Sequence, residues 1–496
     1  MFGRIVRIAL AVIVASAPAA ARQGETTSEL ARVDAPRATA RPLAEAIDAS
    51  GALEPGIRGS FDAAGWRLVP GPNGAPRFAR ETADDSSWRD VFSSPGTDEI
   101  IRAVAVRGTD VYVGGQFAVI GKAAVNNVAR WDGERWSPLG EGAETGVDGA
   151  VYSLTTTADA VYVGGQFRHA GTLAARNVAR WDGAAWSTLG DGQENGVGGF
   201  GQIVYAIGVD GDEVYVGGLF TEAGGASASS LARYDRTSRA WTDLGVSNVD
   251  PEDPAYVFAI AITRKDVYVG GKFARAGTVD ASNVARLSRR DGRWSPLGTG
   301  MDEWVTALAV KGKTVYAGGF FRTAGGTPAN CVAKWNGRAW SPMASGLTTE
   351  GYEPGFGVRV KGLSIHKGKL YVTGYFSHAS GEPVASVAEW RGGAWRHLDG
   401  GLAGGIRRPH LGDTFGLGSG TDGIYVVGAF NTAGGGRAYE VARWSPAAAE
   451  WSTVADAGEH RGVYQGYVST VAVNGGAVYI GGSEMVVGDV VAYGVA

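Results

Sequence analysis

The chain has 496 residues, and its 46 basic and 50 acidic side chains leave a formal net charge of −4. A nucleic-acid-binding surface needs a basic excess, so this balance argues against that class of protein. The single cysteine, Cys331, excludes an intrachain disulfide and a cysteine-based zinc cluster, and the six histidines lack metal-binding spacing. We therefore expect no metal site and no cofactor.

The N-terminal segment has the features of an export signal. Arg4 and Arg7 precede an apolar run over residues 8–15, and Ala19-Ala20-Ala21 offers an A-x-A cleavage site. This pattern predicts a secretory signal peptide over 1–21, which is too short to span a membrane. No later stretch reaches eighteen apolar residues, so we expect a chain without an integral membrane span, secreted or located in the periplasm or cell envelope.

Residues 22–85 differ in character from the rest of the chain. Residues 22–60 are rich in Ala, Arg, Pro, Ser and Thr and are predicted to form a tether, with a short helix around 43–47. Asn73-Gly74 lies between two apolar segments, a strong hairpin signal. Residues 61–85 are therefore predicted to form a hairpin that caps the following domain.

A heptapeptide, V-Y-V-G-G-Q-F at residues 111–117, recurs closely four more times and loosely three more times. Its tyrosine and its second glycine occur in all eight copies. These residues are Tyr112, Tyr162, Tyr215, Tyr268, Tyr316, Tyr371, Tyr425 and Tyr479, and Gly115, Gly165, Gly218, Gly271, Gly319, Gly374, Gly428 and Gly482. Successive tyrosines lie 48 to 55 residues apart. A period near fifty with strand-like content indicates a propeller or an array.

Each repeat offers four strands, which we name a, b, c and d. Strand a has a small residue at one fixed position, which suits the crowded innermost strand of a propeller blade. Strand b is the V-Y-V-G-G core, strand c follows the pattern N-V-A-R-W, and strand d carries a tryptophan. An invariant glycine within a strand implies that a backbone or a ring is pressed against it. We interpret the strand-c cations, such as Arg130, as partners of carboxylates or carbonyls in a neighbouring blade.

The fold class predicted for residues 86–496 is all-β: an eight-bladed β-propeller of four-stranded blades. The eighth repeat ends before a strand d, whereas the segment around Trp88 has the character of an isolated strand d. This N-terminal strand is predicted to complete the last blade and close the ring, which removes two free sheet edges.

The motifs V-Y-V-G-G-x-F, N-V-A-R-W and W-S-x-L-G resemble kelch repeats of the galactose-oxidase central-domain superfamily. They are closest to secreted bacterial kelch-like propellers and to fungal cortical-marker propellers, and the resemblance covers residues 88–496. It implies a fold, but propellers carry many functions. Galactose oxidases use copper with tyrosines, histidines and a cysteine-linked tyrosine. Here Cys331 stands where other repeats have asparagine, and no paired histidines accompany it, so a copper site is not expected.

The candidate site is a position that recurs in every repeat but varies in chemistry. The residue entering strand a is Ile100, Ala150, Ile203, Tyr256, Trp304, Arg359, Asp413 and Tyr467 in turn. The residues two positions later include Arg102, Tyr152, Tyr205, Phe258 and Lys361. In a propeller the preceding d-to-a loops gather on one face around the channel mouth. We predict that Tyr256, Trp304, Arg359, Asp413 and Tyr467 bind the ligand; the alternative is that these side chains only fill a wide axis.

Two classes of function follow. The first is an exported, non-catalytic, monomeric binding or scaffold propeller that presents its d-to-a loop face to a protein or a glycan. The second is a polysaccharide lyase or glycosidase that uses loop carboxylates. The candidates are Asp148, Asp191, Asp253, Asp302, Glu353 and Asp413. Glycosidase chemistry requires two carboxylates roughly 5–10 Å apart. Such a pair at the channel mouth favours the enzyme, and an aromatic shelf without one favours binding.

Overall fold

The computed structural model describes residues 41–42, 46–48, 61–62, 66–70, 76–80 and most of 101–495. Within that last range it leaves out 109, 121–122, 133–134, 143–144, 193–194, 251, 351–356, 404–412, 421–422, 431, 438–440, 454–467, 475–476 and 488–489. The chain divides into two compact units, Met1–Ser86 and Ser87–Ala496. The predicted signal peptide and the segment around Trp88 lie outside the described residues.

The first unit contains two pairs of strands in its described part. Trp66–Pro70 pairs antiparallel with Pro76–Arg80, where Asn73-Gly74 predicts a hairpin. Arg41–Pro42, in the segment predicted to be a tether, pairs in parallel with Phe61–Asp62, at the start of the segment predicted to form the hairpin. Ile47 forms a β-bridge, and residues 43–45 of the short helix predicted around 43–47 lie outside the described residues.

The second unit is built from repeated antiparallel sheets with the strand order a-b-c-d. Within the described residues, seven sheets have four strands, and the last has three. The a strands are Ile101–Arg107, Ala150–Thr156, Ile203–Asp210, Tyr256–Ile262, Val305–Lys311, Arg359–His366, Asp413–Ser419 and Val468–Asn474. The b strands are Asp110–Gly115, Val161–Gln166, Glu213–Leu219, Asp266–Lys272, Thr314–Gly319, Lys369–Tyr375, Ile424–Ala429 and Ala477–Val487.

The outer strands complete these sheets. The c strands are Val128–Trp131, Val178–Trp181, Leu231–Asp235, Val284–Ser288, Val332–Trp335, Val387–Arg391, Val441–Ser445 and Val490–Val495. The d strands are Trp136–Pro138, Trp186–Thr188, Ala240–Asp243, Trp294–Pro296, Trp340–Pro342, Ala394–Arg396 and Glu450–Thr453. We number the sheets 1 to 8 in chain order.

The a strands contact one another in sequence from sheet 1 to sheet 8, and strand a of sheet 8 also contacts strand a of sheet 1. Radially repeated antiparallel sheets with their first strands innermost define a β-propeller. The described residues contain no helix. The all-β propeller class predicted from the repeat is therefore confirmed.

The strand-d tryptophans join neighbouring sheets. The indole N–H of Trp186 in sheet 2 donates to the carbonyl of Leu139, which follows strand d of sheet 1, at 2.9 Å. Trp294 of sheet 4 donates in the same way to the carbonyl of Leu244 at 2.8 Å. The strand-c and strand-d indoles of one sheet also pack together, as Trp181 and Trp186 do with ring centroids 5.2 Å apart. The tryptophan of one repeat thus donates to the leucine carbonyl of the preceding repeat, so the W-S-x-L-G motif supplies both donor and acceptor.

Short hairpins between strands b and c were not predicted from the sequence. In sheet 3, Glu222–Ala223 pairs with Ala226–Ser227, and the incoming segment Val197–Gly198 adds a third strand. The b-to-c hairpins and the d-to-a segments lie at the same end of each sheet, because the antiparallel strand b ends beside the residue at which strand a begins. This end of the sheets is the d-to-a loop face.

The strand-c cations pair mainly with carboxylates of their own sheet, so the predicted partner in a neighbouring blade is wrong for these residues. Arg130 contacts Asp110 at 2.9 Å, and Arg180 contacts Asp159 at 3.0 Å. Each carboxylate lies at or just before the start of strand b. Links between sheets come instead from other arginines, such as Arg236, which contacts Asp159 at 2.9 Å.

Candidate ligand-binding face

A β-bulge interrupts every strand a near its entry end. In sheet 4 the pairing passes from Val257 opposite Gly271 to Ala259 opposite Gly270, which leaves Phe258 without a partner in the register. All eight sheets show the same shift. Because a bulge inserts one residue and redirects its side chain, it sets the direction of the variable residue two positions after the entry.

The invariant second glycine of strand b makes room for this bulge. A Cβ atom on Gly271 would lie only 1.9 Å from the carbonyl oxygen of Tyr256. The same atom on Gly319 would lie 2.0 Å from the carbonyl oxygen of Trp304. Only glycine permits so close an approach of two backbones. The residue that defines the repeat therefore also positions the variable entry residue.

Six aromatic side chains of sheets 2 to 5 form one row at this end of strands a. We call the row the aromatic arc; in order along it lie Tyr152, Tyr205, Phe258, Trp304 and Phe320, and Tyr256 contacts both Phe258 and Trp304. The centroids of contacting rings lie between 5.6 and 6.5 Å apart. The Tyr256 ring is within 16° of parallel to Phe258 and within 19° of parallel to Trp304. Aromatic pairs at such distances attract one another by roughly 0.5–1.5 kcal/mol beyond their burial.

The arc is half-buried rather than enclosed. All six rings are partly accessible, whereas the adjacent Val257 and Val305 are completely buried. Partial exposure also continues along strand a at Ala261 and Ile262, so the arc is one end of a longer accessible strand-a surface. The feature that distinguishes the arc is the contact between aromatic rings of neighbouring sheets, which suits a ligand surface.

Three cationic side chains lie over the arc. The Arg102 guanidinium carbon is 5.2 Å from the ring centre of Tyr152 at one end, and that of Arg359 is 5.8 Å from Phe320 at the other. Lys272 stands above the middle, 5.8 Å from Trp304, and forms an ion pair with Asp253. Such cation–π contacts hold the cations near the aromatic faces.

Burial raises the pKa of Tyr205, and ionisation of the neighbouring Tyr152 or Tyr256 would raise it further. This hydroxyl is therefore neutral at physiological pH, and its ring contributes an uncharged member to the arc.

The structure brings three of the five predicted ligand-binding residues into one row. Tyr256 and Trp304 belong to the arc, and Arg359 extends it through Phe320. Asp413 begins strand a of sheet 7, where its backbone pairs with Ala429. The side chain of Asp413 and the whole of Tyr467 lie outside the described part of the chain.

The arc extends further than the entry position alone suggests. Tyr152 and Tyr205 carry it into sheets 2 and 3, where the entry residues are Ala150 and Ile203. Two members of the face were missed, Phe320 and Lys272, and both directly follow the glycine pair of strand b. The signal was available in the sequence. This position also varies between repeats, as Gln116, Gln166, Leu219, Lys272, Phe320, Tyr375 and Ala429.

Two d-to-a loops present exposed apolar side chains near the arc. Phe200 is 65% exposed and Val249 is 79% exposed. The loop that carries Phe200 has left-handed backbone at Gly199, Gly201 and Gln202, with φ of 79°, 76° and 54°. A hydrogen bond from the Phe200 amide to the Thr221 hydroxyl at 2.9 Å ties the loop to the b-to-c hairpin of sheet 3.

A polar cleft of about 350 Å³ opens on the same face, between sheets 2 and 3. Its lining includes Asp148, Gln166, Arg168 and Gln202. This volume lies at the lower end of the range for small-molecule sites. Gln166 pairs in the sheet register with Ala150, the first residue of the strand that carries Tyr152, so the cleft lies at the arc's end of sheet 2.

The loop carboxylates considered for catalysis are used as structural partners. Asp148 accepts hydrogen bonds from the backbone amides of Arg168 and His169 at 2.7 and 2.8 Å, and contacts the His169 ring at 2.7 Å. Burial alone would raise the pKa of Asp148, but these hydrogen bonds outweigh it and lower the pKa. Asp148 is thus held as a carboxylate and is unsuited to act as a general acid near neutral pH.

The other described candidates are occupied in similar ways. Asp302 accepts hydrogen bonds from the amides of Arg322 and Thr323 at 2.9 and 2.8 Å. Asp191 pairs with Arg239, and Asp253 with Lys272. Glu353 lies outside the described residues. The described residues contain no cluster of three or more His, Cys, Asp or Glu side chains able to hold a metal ion.

Comparisons with known proteins add the following. No family model matches the chain, and no curated protein matches it. Among solved structures, the computationally designed Ika8 protein is similar at 15% identity and a TM-score of 0.49, over 80% of this chain and 96% of that one. The extracellular domain of a one-component system, BT4673 from B. thetaiotaomicron, is similar at 10% identity and 0.37, over 80% of this chain and 58% of that one. The RRP9 WD40 repeats are similar at 12% identity and 0.40, over 70% and 92%. Likeness at this level transfers no function.

In the part of the chain that the structure describes, no helix is long and apolar enough to cross a membrane.

Proposed function

We propose that this protein is an exported, non-catalytic binding or scaffold module that engages a protein or a glycan through its d-to-a loop face. The observation that carries the proposal is the aromatic arc: six half-buried rings in contact across sheets 2 to 5, with arginines over both ends. Ligand sites are typically aromatic surfaces with a few polar groups that fix orientation. Tyr256, Trp304, Arg359, Asp413 and Tyr467 remain the proposed contacts, and Tyr152, Tyr205, Phe258 and Phe320 join them.

The proposal includes the architecture that presents this face. The ring has eight kelch-like blades, and the N-terminal strand around Trp88 supplies strand d of the last blade. The contact between strands a of sheets 1 and 8 supports a closed ring. Export is supported by the signal-like segment over residues 1–21. The mature protein acts as a monomer, without a cofactor.

The test begins with a binding screen of the purified protein against glycan and peptide arrays. Once a ligand is found, Trp304→Ala is expected to weaken binding at least about tenfold, as loss of a central tryptophan commonly does. Asp413→Ala is expected to weaken it as well. Both variants should keep the melting temperature within a few degrees. Normal binding by both, or unfolding of both, would contradict the proposed site.

The lyase or glycosidase alternative receives less support. Of its six candidate carboxylates, four are engaged by backbone amides or by cations. An aromatic shelf accompanied by carboxylates in structural roles favours binding over hydrolysis. Release of reducing ends from an acidic or neutral polysaccharide by the purified protein would reverse this preference.

A further inference from the structure

The aromatic arc has the shape of a platform for sugar rings. The Tyr256 ring is within 16° of parallel to Phe258 and within 19° of parallel to Trp304, Phe258 and Trp304 are inclined at 32°, and all three residues are partly exposed. A pyranose ring has a flat C–H face that stacks on aromatic rings. From Tyr152 through Tyr205, Phe258 and Trp304 to Phe320, the ring centroids are 5.6 to 5.9 Å apart, similar to the length of one sugar unit in a chain. A linear polysaccharide therefore matches the repeat of the arc.

The polar groups beside the arc suit hydroxyls and carboxylates. Gln166 and Gln202 line the adjoining cleft, and an amide group can both donate to and accept from a sugar hydroxyl. Arg102 and Arg359 are exposed at the two ends of the arc. A guanidinium group presents a planar fork of donors that matches a carboxylate. Lys272, above the middle, has Asp253 as its partner, whereas no ion pair joins Arg102 or Arg359 to a carboxylate among the described residues.

A peptide fits the same surface less well. Peptides commonly bind by adding a strand to a sheet edge, but every strand a is bulged at this end. A proline-rich peptide would use an aromatic groove without any need for the two arginines.

We propose that the arc and the adjoining cleft bind an acidic polysaccharide, a linear chain whose sugar rings carry carboxylates. The rings stack on the arc, the amides of the cleft bind hydroxyls, and Arg102 and Arg359 bind carboxylates. This inference rests on the proposed function, since it names the ligand class of the same face.

The experiment measures binding of the full chain to polygalacturonate, alginate and hyaluronan, each beside its carboxyl-reduced form. At least one acidic chain is expected to bind, and reduction of its carboxylates should weaken binding about tenfold, the value of a lost charged hydrogen bond. Arg359→Gln should remove most of that difference between acidic and reduced forms. Trp304→Ala should weaken binding to both forms.

Arg338→Gln is the matched control, because Arg338 is exposed in a c-to-d turn on the opposite face. It should change neither affinity nor discrimination. Dextran sulfate and a polyproline peptide are tested in parallel. Equal binding to the reduced form, equal binding to dextran sulfate, or no binding to any acidic chain overturns the inference.

The outcomes also separate this inference from the proposed function. If the protein instead binds polyproline or a neutral ligand, and Trp304→Ala weakens that binding, the acidic polysaccharide is ruled out as the ligand. The proposal that this face binds a ligand then still holds. A ligand whose affinity is unchanged by Trp304→Ala and by Arg359→Gln contradicts both the proposed binding face and the proposed ligand class.

Discussion

At the scale of single residues, two positions determine the backbone conformation of each repeat. Besides the second glycine of strand b, the residue before strand c has left-handed backbone, with φ of 64° at Asn177 and 58° at Ser230. The Asn177 side chain accepts from the Phe167 amide at 3.0 Å and donates to the Val197 carbonyl at 2.6 Å. Asparagine tolerates this conformation better than most residues. Cys331 has the same backbone, with φ of 71°, and is completely buried, which raises the pKa of its thiol to about 12.

We expect Gly271→Ala to lower the free energy of unfolding by about 3 kcal/mol, because the new methyl group would overlap the Tyr256 carbonyl oxygen. The substitution should also weaken ligand binding, since it moves the residue that enters strand a. Gly436→Ala serves as the control, because its nearest neighbour would lie 3.5 Å away. Urea denaturation of the two variants checks the prediction, and equal stability of both would contradict it.

At the scale of strands, an ion pair joins the start of strand b to strand c in several sheets. The acidic partner lies on strand b in one sheet and on strand c in another. In sheet 1, Arg130 on strand c contacts Asp110 at 2.9 Å. In sheet 6 the signs are reversed, and Lys369 on strand b contacts Glu389 on strand c at 3.2 Å. The Tyr371 hydroxyl then donates to Glu389 at 2.7 Å. The pairing of strands b and c places these two side chains next to each other, and an ion pair forms whichever of them carries the negative charge.

The reversal predicts the result of a double substitution in sheet 1. Asp110→Lys and Arg130→Glu should each destabilise the protein by about 1 kcal/mol, since each places like charges side by side. The double variant should recover about half or more of the summed loss, because it reproduces the arrangement of sheet 6. A double-mutant cycle by chemical denaturation measures this coupling. Strict additivity of the two losses would be inconsistent with a direct pair.

The buried tyrosines of strand b make stability sensitive to alkaline pH. Burial, with a smaller contribution from the nearby Glu213 carboxylate, raises the pKa of Tyr215 to about 12 from its ordinary value of 10.0. The folded state therefore holds this proton more tightly than the unfolded state. The resulting stabilisation is present below pH 10 and is lost as pH rises towards 12.

Tyr215→Phe should accordingly reduce the slope of unfolding free energy against pH between 10 and 12. The measurement is a series of urea titrations from pH 8 to pH 12 on the wild type and the variant. An unchanged slope would show that Tyr215 does not contribute to the alkaline transition.

At the scale of the whole molecule, closure of the ring depends on the outer edge of sheet 8. Strand c of sheet 8 is Val490–Val495, and the described residues provide no strand on its outer side. An uncovered edge exposes unpaired backbone groups, so a fourth strand there stabilises the propeller. We propose that the segment around Trp88 supplies it.

Deletion of residues 86–94 is therefore expected to lower the melting temperature far more than deletion of residues 22–50. The second deletion removes a longer segment that the proposal places outside the ring, and so serves as the control. Thermal unfolding of both variants followed by circular dichroism provides the comparison. Equal melting temperatures would refute closure by this strand.

The sequence by itself determined the propeller class, the strands and the entry position. Eight copies of Tyr-x-x-Gly leave little freedom in the register, because each copy places the same tyrosine inward and the same glycine opposite strand a. The sequence also indicated the position of Tyr256, Trp304 and Arg359, since a residue that keeps its place but changes its chemistry is not dictated by blade packing.

Only the tertiary structure decided which variable residues meet. The position of Phe320 and Lys272 after the glycine pair of strand b varies between repeats, but that variation does not show which rings and cations of neighbouring sheets come into contact. The bulge at Phe258 is likewise invisible to an alternating strand pattern, because it depends on a carbonyl approaching Gly271 from the paired strand. The aromatic arc exists because that backbone contact recurs in neighbouring sheets and points side chains of different repeats towards one another.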